Sequence, residues 1–523
     1  MLYLALPGIV FDDSAHHGWL VSLLFITPIF SSYISSTSLV RSYVVCYTTL
    51  ILSIVTYRLS PLHPLAHHPG PKLARISKFW GAYHAYGGHY YKLLSELHQQ
   101  YGPTVRIGPN ELSVIDPAVF QSVFAGMGKG PLWDGRRFSM HGPGSLIGIR
   151  SQQGHAERRK SWGLALSTKS MKQYEAPLLA RAVNFGDKLR QYAKKGEPVD
   201  MAKYLSFLAY DFTGDMAFNG GFDLVEKGDV HGVWSLMERS LAAMAIRQHL
   251  PWCLPLFLAF VANRANAFSD FTVQMSIERT RSGSLVVEKD VSHYLLDEDN
   301  LKPEVPTPEF VMDATLVIVA GADTTSSVLS TLVYSLLKSP EYARRLKQEV
   351  DSALPMRVAE WSNDWPTLLA GLPLLNAIIN ETLRLYPGVP SSIQRAPYEG
   401  SGGSMAGHLF VPEGTAVTIP AYTIHRQDAH FGPNTEKFHP ERWIDPTLRE
   451  QVNEAAFIPF AAGPANCVGK AMAMMELRCV VAMLVQEFDM EFATGCGKDW
   501  SDGLKDYLVW SKEKLLVNLS VNK

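Results

Sequence analysis

The chain has 523 residues, with 48 basic and 50 acidic side chains, and its formal net charge of −2 gives no electrostatic argument for nucleic acid as a partner. Apolar residues make up 47% of the sequence and charged residues 19%, which excludes a largely disordered chain and favours a large globular core. Its five cysteines form no CxxC pair, so neither a disulfide framework nor a zinc cluster is indicated.

Two uncharged apolar runs lie near the amino end, Gly18–Val40 and Ser42–Tyr57. Each is close to the roughly 20 residues that a membrane-spanning helix needs. Acidic rather than basic residues precede the first run, which argues against a cleaved signal peptide, so we expect residues 1–59 to be a retained anchor of one or two transmembrane helices. Basic residues from Arg58 onward predict that the rest of the chain is cytosolic. The alternative is that both runs are buried core helices.

Residues 60–71 contain four prolines and cannot continue a helix, so we predict a stiff extended hinge there. From residue 72 to residue 523 the sequence has no internal repeat and no low-complexity tract, which favours one large domain. Helical spacing dominates this domain and strand-like alternation is confined to short pieces. The predicted fold class is therefore mainly α with small β-sheets (α+β).

The periodicity of apolar residues gives the predicted elements in chain order. Helices are predicted at Lys92–Tyr101, Ala176–Lys194, Met201–Met216, Phe310–Leu337, Tyr342–Leu354, Pro373–Leu385 and Lys470–Phe488. Strands are predicted at Thr104–Ile107, Ser113–Ile115, Leu409–Val411 and Ala416–Ile419. Thr307 can cap a helix that begins at Pro308 and runs to about Ser339. Gly321 and the threonines within this long helix lower its propensity and predict a local bulge.

Near the carboxyl end, Phe460-Ala-Ala-Gly463-Pro-Ala-Asn-Cys467-Val-Gly469 precedes a predicted helix. The amides at the helix start and a bound metal would both favour the thiolate of Cys467, which can ligate iron. Gly463 and Gly469 would let the backbone approach a flat macrocycle, while Phe460 would cover the sulfur side. The motif resembles the cysteine loop of the cytochrome P450 family. The resemblance implies haem b with Cys467 as axial ligand, and that family's fold, with a long central helix over the haem.

A second segment, Ala320-Gly-Ala-Asp323-Thr324-Thr325, lies in the middle of the long helix and resembles the same family. A carboxylate beside a hydroxyl can relay protons. The resemblance therefore gives Asp323 and Thr324 a catalytic role in delivering protons toward dioxygen. Taken alone, the segment is equally compatible with an ordinary helix that has a polar face.

Glu381 and Arg384 lie three residues apart within an apolar run, so we expect them to pair on one helix face. The segment Phe438–Trp443 resembles the family segment whose arginine, here Arg442, completes a buried triad with these two residues. Because buried charges must be paired, the three residues are predicted to be structural.

Haem propionates need cations, and the resemblance places His155, Arg159 and Arg395 near them. Two residues before the cysteine the family usually has arginine or histidine, whereas this chain has Ala465. Propionate binding must then depend more on the other cations. Plain surface charge is the alternative for these three residues.

The resemblance extends from the hinge to the end of the chain and is closest to fungal membrane members. It implies a monooxygenase that inserts one atom of O2 into a lipophilic small molecule, with a fungal terpenoid or other secondary metabolite as substrate. The sequence has no nicotinamide or flavin fingerprint, so electrons from NADPH would arrive through the NADPH-cytochrome reductase of the endoplasmic reticulum. Membrane lipid is the other expected partner. Lys470 and Arg478 are candidate contacts for the reductase.

Four apolar or small segments are expected to line the substrate pocket, which predicts a lipophilic substrate. They are Pro131–Leu146, Leu316–Ala320, Val389–Ile393 and the turn near Tyr507. Two alternatives are a reductase-independent haem-thiolate isomerase or peroxygenase, and a non-catalytic haem-binding sensor. The Asp323-Thr324 pair argues against both, because neither has to deliver protons to dioxygen.

Overall fold

The computed structural model describes residues 14–36, 38–136, 143–220, 222–230, 232–253, 270–283, 289–301, 305–497 and 499–522. Two helices, α1 (Ser14–Ser35) and α2 (Leu39–Leu59), form a hairpin at the amino end. The Tyr43 hydroxyl on α2 donates to the carbonyl of Phe25 on α1 (2.8 Å). By length and composition α2 could cross a membrane, and it is almost entirely exposed, whereas the equally apolar Pro308–Lys338 is buried in the core. The exposed apolar face of α2 is compatible with the predicted anchor.

The hinge differs in part from the predicted extended connector, because residues 60–68 form consecutive turns and bends and only residues 69–71 lack them. Backbone hydrogen bonds join the His63 amide to the Ser60 carbonyl (3.3 Å) and the Ala66 amide to the His63 carbonyl (2.9 Å). Proline fixes φ at a value that turns also use, so the prolines stop a helix without extending the chain. Leu65 is 1% exposed, and its burial gives the turned path its stabilisation. The hinge is therefore packed onto the catalytic body.

The body is mainly α-helical, as predicted. Its helices in chain order are α3 (Lys72–Ile76), α4 (Phe79–Tyr86), α5 (Tyr90–Tyr101), α6 (Pro117–Gly126), α7 (Gln152–Ala165), α8 (Thr168–Lys195), α9 (Met201–Phe218), α10 (Leu224–Lys227), α11 (Val233–Arg247), α12 (residues 270–282), α13 (Val291–Leu295), α14 (Pro308–Ile318), α15 (Thr324–Lys338), α16 (Pro340–Ala353), α17 (Trp365–Ala370), α18 (Pro373–Leu385), α19 (Ala421–Ile424), α20 (Asp428–Phe431), α21 (Pro446–Arg449) and α22 (Lys470–Glu487). Short 3₁₀ helices lie at Pro131–Arg136, Pro251–Cys253, Val358–Glu360, Pro440–Trp443, Glu454–Ala456 and Trp500–Gly503.

The strands form small sheets at the side of the helical body. They are β1 (Thr104–Gly108), β2 (Glu111–Val114), β3 (Gly128–Lys129), β4 (Val199–Asp200), β5 (Ile393–Ala396), β6 (Gly403–Ala406), β7 (Leu409–Pro412), β8 (Ala416–Ile419), β9 (Phe488–Phe492), β10 (Lys505–Tyr507), β11 (Val509–Ser511) and β12 (Leu516–Val521). The largest sheet has the order β1-β2-β8-β5-β3, in which only β2 and β8 are parallel. A three-stranded sheet has the order β4-β12-β9, and β6-β7 and β10-β11 are two-stranded.

The long central helix begins and bulges as predicted. The Thr307 hydroxyl accepts from the Phe310 amide (3.2 Å), and Pro308 occupies the first helical position, where its missing N–H is not needed. Between α14 and α15, Val319–Asp323 forms a single π turn. Such turns widen a helix locally and are frequent at functional sites. The helix passes through the main hydrophobic core, which α9 and α22 also build.

Candidate functional site

Cys467 lies at the end of a closed loop directly before α22. The Cys467 amide donates to the Phe460 carbonyl (2.9 Å), and the Asn466 amide donates to the Gly463 carbonyl (3.1 Å). Gly463 has φ 73°, and a Cβ there would collide with the Phe124 carbonyl. From the sequence, glycine at this position is explained by the approach of a macrocycle. The close contact with Phe124 is a further reason why only glycine fits here.

The Cys467 sulfur borders an open space even though protein surrounds it on its other sides. Its side chain is exposed, as are Lys470 and Ala471 at the start of α22, whereas most of that helix from Met472 onward is buried. Burial raises the pKa of the Cys467 thiol, whereas a hydrogen bond from the Gly469 amide and the charges of Arg159 and Lys470 lower it. An iron bonded to the sulfur would displace the remaining proton, because metals bind the thiolate.

Two of the predicted cations hold the cysteine loop directly. Arg159 on α7 donates to the Asn466 carbonyl (2.8 Å), and Arg395 on β5 donates to the Ala465 carbonyl (3.2 Å). Arg395 is 2% exposed, yet its Nε has no hydrogen-bond partner within the described part of the chain. A buried unpaired N–H of this kind needs an acceptor.

His155 and Lys129 complete a group of four basic side chains with these two arginines. Burial, followed by the charges of Lys129, Arg159 and Arg395, lowers the pKa of His155 to about 4. Lys129 lies opposite Arg395 in the β3–β5 pair, and burial with the charges of Arg395 and Arg159 lowers the pKa of Lys129 to about 6. The neighbouring acid, Asp313, is bound to Arg158 on α7 (2.6 Å).

The sequence prediction did not include Lys129, which has no motif around it. Its place beside Arg395 follows from the pairing of β3 with β5. The residues of this space fit a haem: a cysteine sulfur lies beside four basic side chains whose positive charges disfavour one another, and an anion would favour their protonated forms. Lys129 can supply the positive charge that is missing at Ala465.

The predicted proton-relay residues lie on the π turn and directly after it. The Thr324 hydroxyl donates to the Ala320 carbonyl (2.7 Å), and Ala320 is exposed although the helix around it is buried. Asp323 is 1% exposed, and its Oδ1 accepts from the Tyr210 hydroxyl on α9 (3.4 Å). The two side chains therefore have different neighbours.

The pKa of the Asp323 carboxyl lies near neutral pH. Burial and the charge of Glu238 raise the pKa of Asp323 to about 7, against smaller opposing effects of Lys512 and Tyr210. Its Oδ2 is buried and has no hydrogen-bond partner among the described residues. A carboxyl with a pKa near neutral pH can both take up and release a proton under physiological conditions.

Glu381, Arg384 and Arg442 come together in the core, as the sequence predicted for their placement. Arg384 donates from Nη2 to Oε1 of Glu381 (2.8 Å) and from Nε to Oε2 (2.9 Å). The Nε of Arg442 lies 3.6 Å from Oε1 of Glu381. All three side chains are buried, and Glu381 also accepts from the Trp443 indole (2.9 Å).

His425 is a further residue that the sequence prediction missed. Burial and the charge of Arg384 lower the pKa of His425 to about 3, so its ring is neutral. Its Nε2 accepts from the Ile458 amide (3.0 Å), and its Nδ1 lies 3.2 Å from the Arg384 carbonyl. His425 therefore joins the triad to the segment that leads into the cysteine loop.

The predicted pocket segments differ in how open they are. Leu316 and Val319 are buried in the core, and of the segment Leu316–Ala320 only Ala320 is exposed. Residues 137–142 of Pro131–Leu146 lie outside the described residues. Val389 is half-buried, and Ile393 is buried in β5. The Tyr507 hydroxyl donates to the Tyr86 carbonyl (3.3 Å) on α4.

The two candidate reductase contacts differ in exposure. Lys470 is exposed, and its ammonium lies over the Phe460 ring. Arg478 is half-buried, donates to Asn376 (2.8 Å) and lines a surface cleft of about 310 Å³. Lys470 is therefore the more accessible of the two.

Comparison with known proteins identifies a family and close relatives. The profile of the family described as Cytochrome P450 matches residues 69–518. Cytochrome P450 monooxygenase FCK2 of Fusarium pseudograminearum is 33% identical over 87% of this chain and 82% of its own length. Cytochrome P450 monooxygenase notG' of Aspergillus versicolor is 32% identical over 91% and 86%, respectively. Tryprostatin B 6-hydroxylase of Aspergillus fumigatus is 30% identical over 90% and 83%.

Proposed function

Because the chain belongs to the cytochrome P450 family and is a haem-dependent monooxygenase of fungal secondary metabolism, we propose that Cys467 is its iron ligand and Asp323 and Thr324 its proton-delivering pair. The observation that carries the first assignment is the exposed Cys467 side chain at the start of a helix that is mostly buried from Met472 onward. Ala320, exposed on a buried helix beside Thr324, supports the second.

The cofactor in this proposal is haem b, which when bound with a thiolate ligand supplies the activation of dioxygen. Cys467 would ligate the iron. Arg159, Arg395, His155 and Lys129 would hold the two propionates, and the Nε of Arg395, which has no hydrogen-bond partner among the residues that the structure describes, could donate to one of them. Each such charge-assisted hydrogen bond is worth more than a neutral one.

The chain's own part in the reaction is to bind substrate, exclude water and move protons. One oxygen atom enters the substrate and the other leaves as water, so each turnover consumes two electrons and two protons. Thr324 presents its hydroxyl oxygen as an acceptor while its proton is held by the Ala320 carbonyl (2.7 Å). Asp323 holds a proton that can leave at neutral pH.

Electrons from NADPH would come through a separate NADPH-cytochrome reductase. Lys470 is the exposed cation next to the cysteine loop, and it could meet an acidic surface of that partner. The apolar, exposed α2 supports an anchor in the membrane of the endoplasmic reticulum, with the catalytic body in the cytosol and lipid around the helices.

The substrate would be a lipophilic small molecule that is hydroxylated or epoxidised. A membrane anchor and a largely apolar core around Ala320 support this class. The terpenoid assignment is a narrower prediction that the relatives' names do not specify. A reductase-independent isomerase or peroxygenase, or a haem sensor, is less well supported, because the relatives are named as monooxygenases and a hydroxylase.

The test of the iron ligand is the absorption spectrum of the reduced protein under carbon monoxide. We expect a strongly red-shifted Soret band in the wild type that is absent in Cys467→Ser. Cys496→Ser is the matched control, because Cys496 is half-buried in the segment after β9, outside the cysteine loop, and should keep the band. A histidine-type spectrum that Cys467→Ser leaves unchanged would overturn the assignment.

A further inference from the structure

A second group of charged residues lies behind the long helix, on the side of α9 and α11. It consists of Glu238 on α11, Lys512 in the segment between β11 and β12, and the buried Asp323. The charges of Glu238 and Lys512 both act on Asp323, and Glu238 and Lys512 act on one another. The proposed acid and alcohol explain Asp323 but give no role to Glu238 or Lys512.

Lys512 is fixed by hydroxyl groups of the two helices that enclose Asp323. Its ammonium donates to Ser206 of α9 (3.1 Å) and to Ser326 of α15 (3.0 Å), with Ser327 at 3.5 Å. The Ser327 hydroxyl in turn donates to the Trp510 carbonyl (3.1 Å), which holds the Lys512 segment against the helix. Within the described part of the chain, Lys512 forms no ion pair at contact distance.

Glu238 gives this group access to water. Its side chain is half-buried, whereas Asp323 is 1% exposed. Glu238 is hydrogen-bonded to Ser511, next to Lys512. Two half-buried side chains, Glu238 and Lys512, next to the buried Asp323 are what a route for protons from solvent requires.

We propose that Glu238 and Lys512 form the entrance through which Asp323 is reprotonated from solvent after each proton that it gives up toward Thr324. This proposal rests on the proposed function of the Asp323-Thr324 pair. One proton enters for each proton that leaves, so the route itself undergoes no net chemical change. Both are positioning residues, since they act through Asp323.

The electrostatics of the group support this arrangement. Glu238 raises the pKa of Asp323 and Lys512 lowers it, while Tyr210 from α9 adds a smaller lowering effect. Burial lowers the pKa of Lys512, and Glu238, Asp323 and Asp200 act against that shift. The two positioning residues therefore act on Asp323 with opposite sign.

The experiment is infrared spectroscopy of the resting, haem-loaded enzyme over a pH series. The carboxylic-acid band of Asp323 is identified by its loss in Asp323→Asn. We expect Glu238→Gln to lower the midpoint of this band's titration and Lys512→Met to raise it, each by about one pH unit. Lys514→Met is the matched control, because Lys514 is exposed two residues further on and should leave the midpoint unchanged.

A second measurement uses the reductase-driven enzyme. Glu238→Gln should form several-fold less product for each NADPH consumed, with an unchanged KM for substrate and more hydrogen peroxide. The proposal is overturned if both variants keep the wild-type midpoint, or if Glu238→Gln keeps the wild-type ratio of product to NADPH. Should Lys512→Met not fold, Glu238→Gln decides alone. Midpoint shifts in an enzyme that forms no product would instead count against the proposed function.

Discussion

Lys129 shows how a buried cation can be retained at a cost to the folded protein. The pKa of Lys129 is lowered to about 6, first by burial and then by Arg395 and Arg159. Burying a charge without a counterion destabilises the folded protein. We therefore expect Lys129 to have a role in ligand binding that offsets this cost. An anionic propionate beside Lys129 and Arg395 would provide this compensation.

Replacing Lys129 should therefore stabilise the haem-free protein but weaken the retention of haem. We expect Lys129→Met to lose haem about tenfold faster, because one hydrogen bond to a charged group contributes about 1.5–3 kcal/mol. Transfer of haem to an apo-globin acceptor measures this rate. Lys160→Met, at an exposed position on α7, is the control and should not change it.

The haem-free protein should also show a pH dependence that originates at Lys129. Its lowered pKa means that the folded chain binds this proton more weakly than the unfolded chain, so stability should fall as the pH drops from about 10 toward 6. Lys129→Met should reduce this slope in denaturation curves measured across that range. An unchanged slope would show that Lys129 is not the group responsible.

Thr324 is the residue whose replacement should uncouple NADPH consumption from product formation without weakening substrate binding. Thr324→Val removes the hydroxyl that bonds to the Ala320 carbonyl (2.7 Å) but keeps the side-chain volume. We expect NADPH consumption to continue while product per NADPH falls about tenfold or more and hydrogen peroxide increases, since general acid–base assistance contributes about 10²–10⁴ in rate. Thr324→Ser keeps the hydroxyl and should retain most of the coupling, whereas equal loss in both variants would exclude this role for the hydroxyl.

The sequence was informative at residues that belong to local motifs. Cys467, Asp323, Thr324 and the charged pair of α18 each lie within a few residues of the neighbours that identify them. Lys129 could not be predicted in this way, because its neighbour Arg395 is brought to it only by pairing of β3 with β5. Strand pairing between distant segments leaves no local pattern.

At the scale of elements, periodicity predicted the long helices and four of the short strands. It missed α7 and α11, which carry Arg159 and Glu238. α7 buries only Trp162 and Ala165, which is too few apolar residues for a regular stripe. α11 does have a stripe at Met237, Leu241 and Met244, which the prediction overlooked. The bulge at Val319–Asp323 was predictable because glycine and threonines weaken the helix locally.

The Glu381-Arg384 pair on α18 gives the sharpest prediction at this scale. Arg384 is fully buried, bonds twice to Glu381 and donates to the carbonyls of His425 (2.8 Å) and Thr435 (2.7 Å). Arg384→Met would leave Glu381 buried without its closest partner, so we expect a loss of about 3–5 kcal/mol in the free energy of unfolding. The midpoint of guanidinium denaturation and the haem content after purification measure the effect.

Arg345→Met is the matched control for the triad. Arg345 also forms an ion pair, with Glu441 (2.6 Å), but its side chain is 48% exposed. An exposed pair contributes about 0–1 kcal/mol because water and salt screen it. Equal destabilisation by the two variants would show that burial is not what makes the α18 pair structural.

At the scale of the whole molecule, the hinge connects the anchor to the body more closely than its prolines suggested. The Arg106 side chain, buried on β1, donates to the Arg58 carbonyl (3.2 Å) at the end of α2. The Arg106 amide also donates to the Pro69 carbonyl (2.7 Å). These hydrogen bonds tie the end of α2 and the hinge to β1 of the body. The number of prolines in the hinge does not predict such contacts.

Removal of the anchor should separate membrane attachment from folding. A protein that lacks residues 1–55 keeps Arg58 and the hinge, so we expect it to leave the membrane fraction while retaining haem. Within that protein, Leu65→Ala should cost about 2–5 kcal/mol because Leu65 is 1% exposed. Leu62→Ala, at a side chain that is 85% exposed, should change stability little. Denaturant midpoints of the two variants decide the matter: equal values would mean that the hinge is a loose tether, and unequal values that it is part of the folded body.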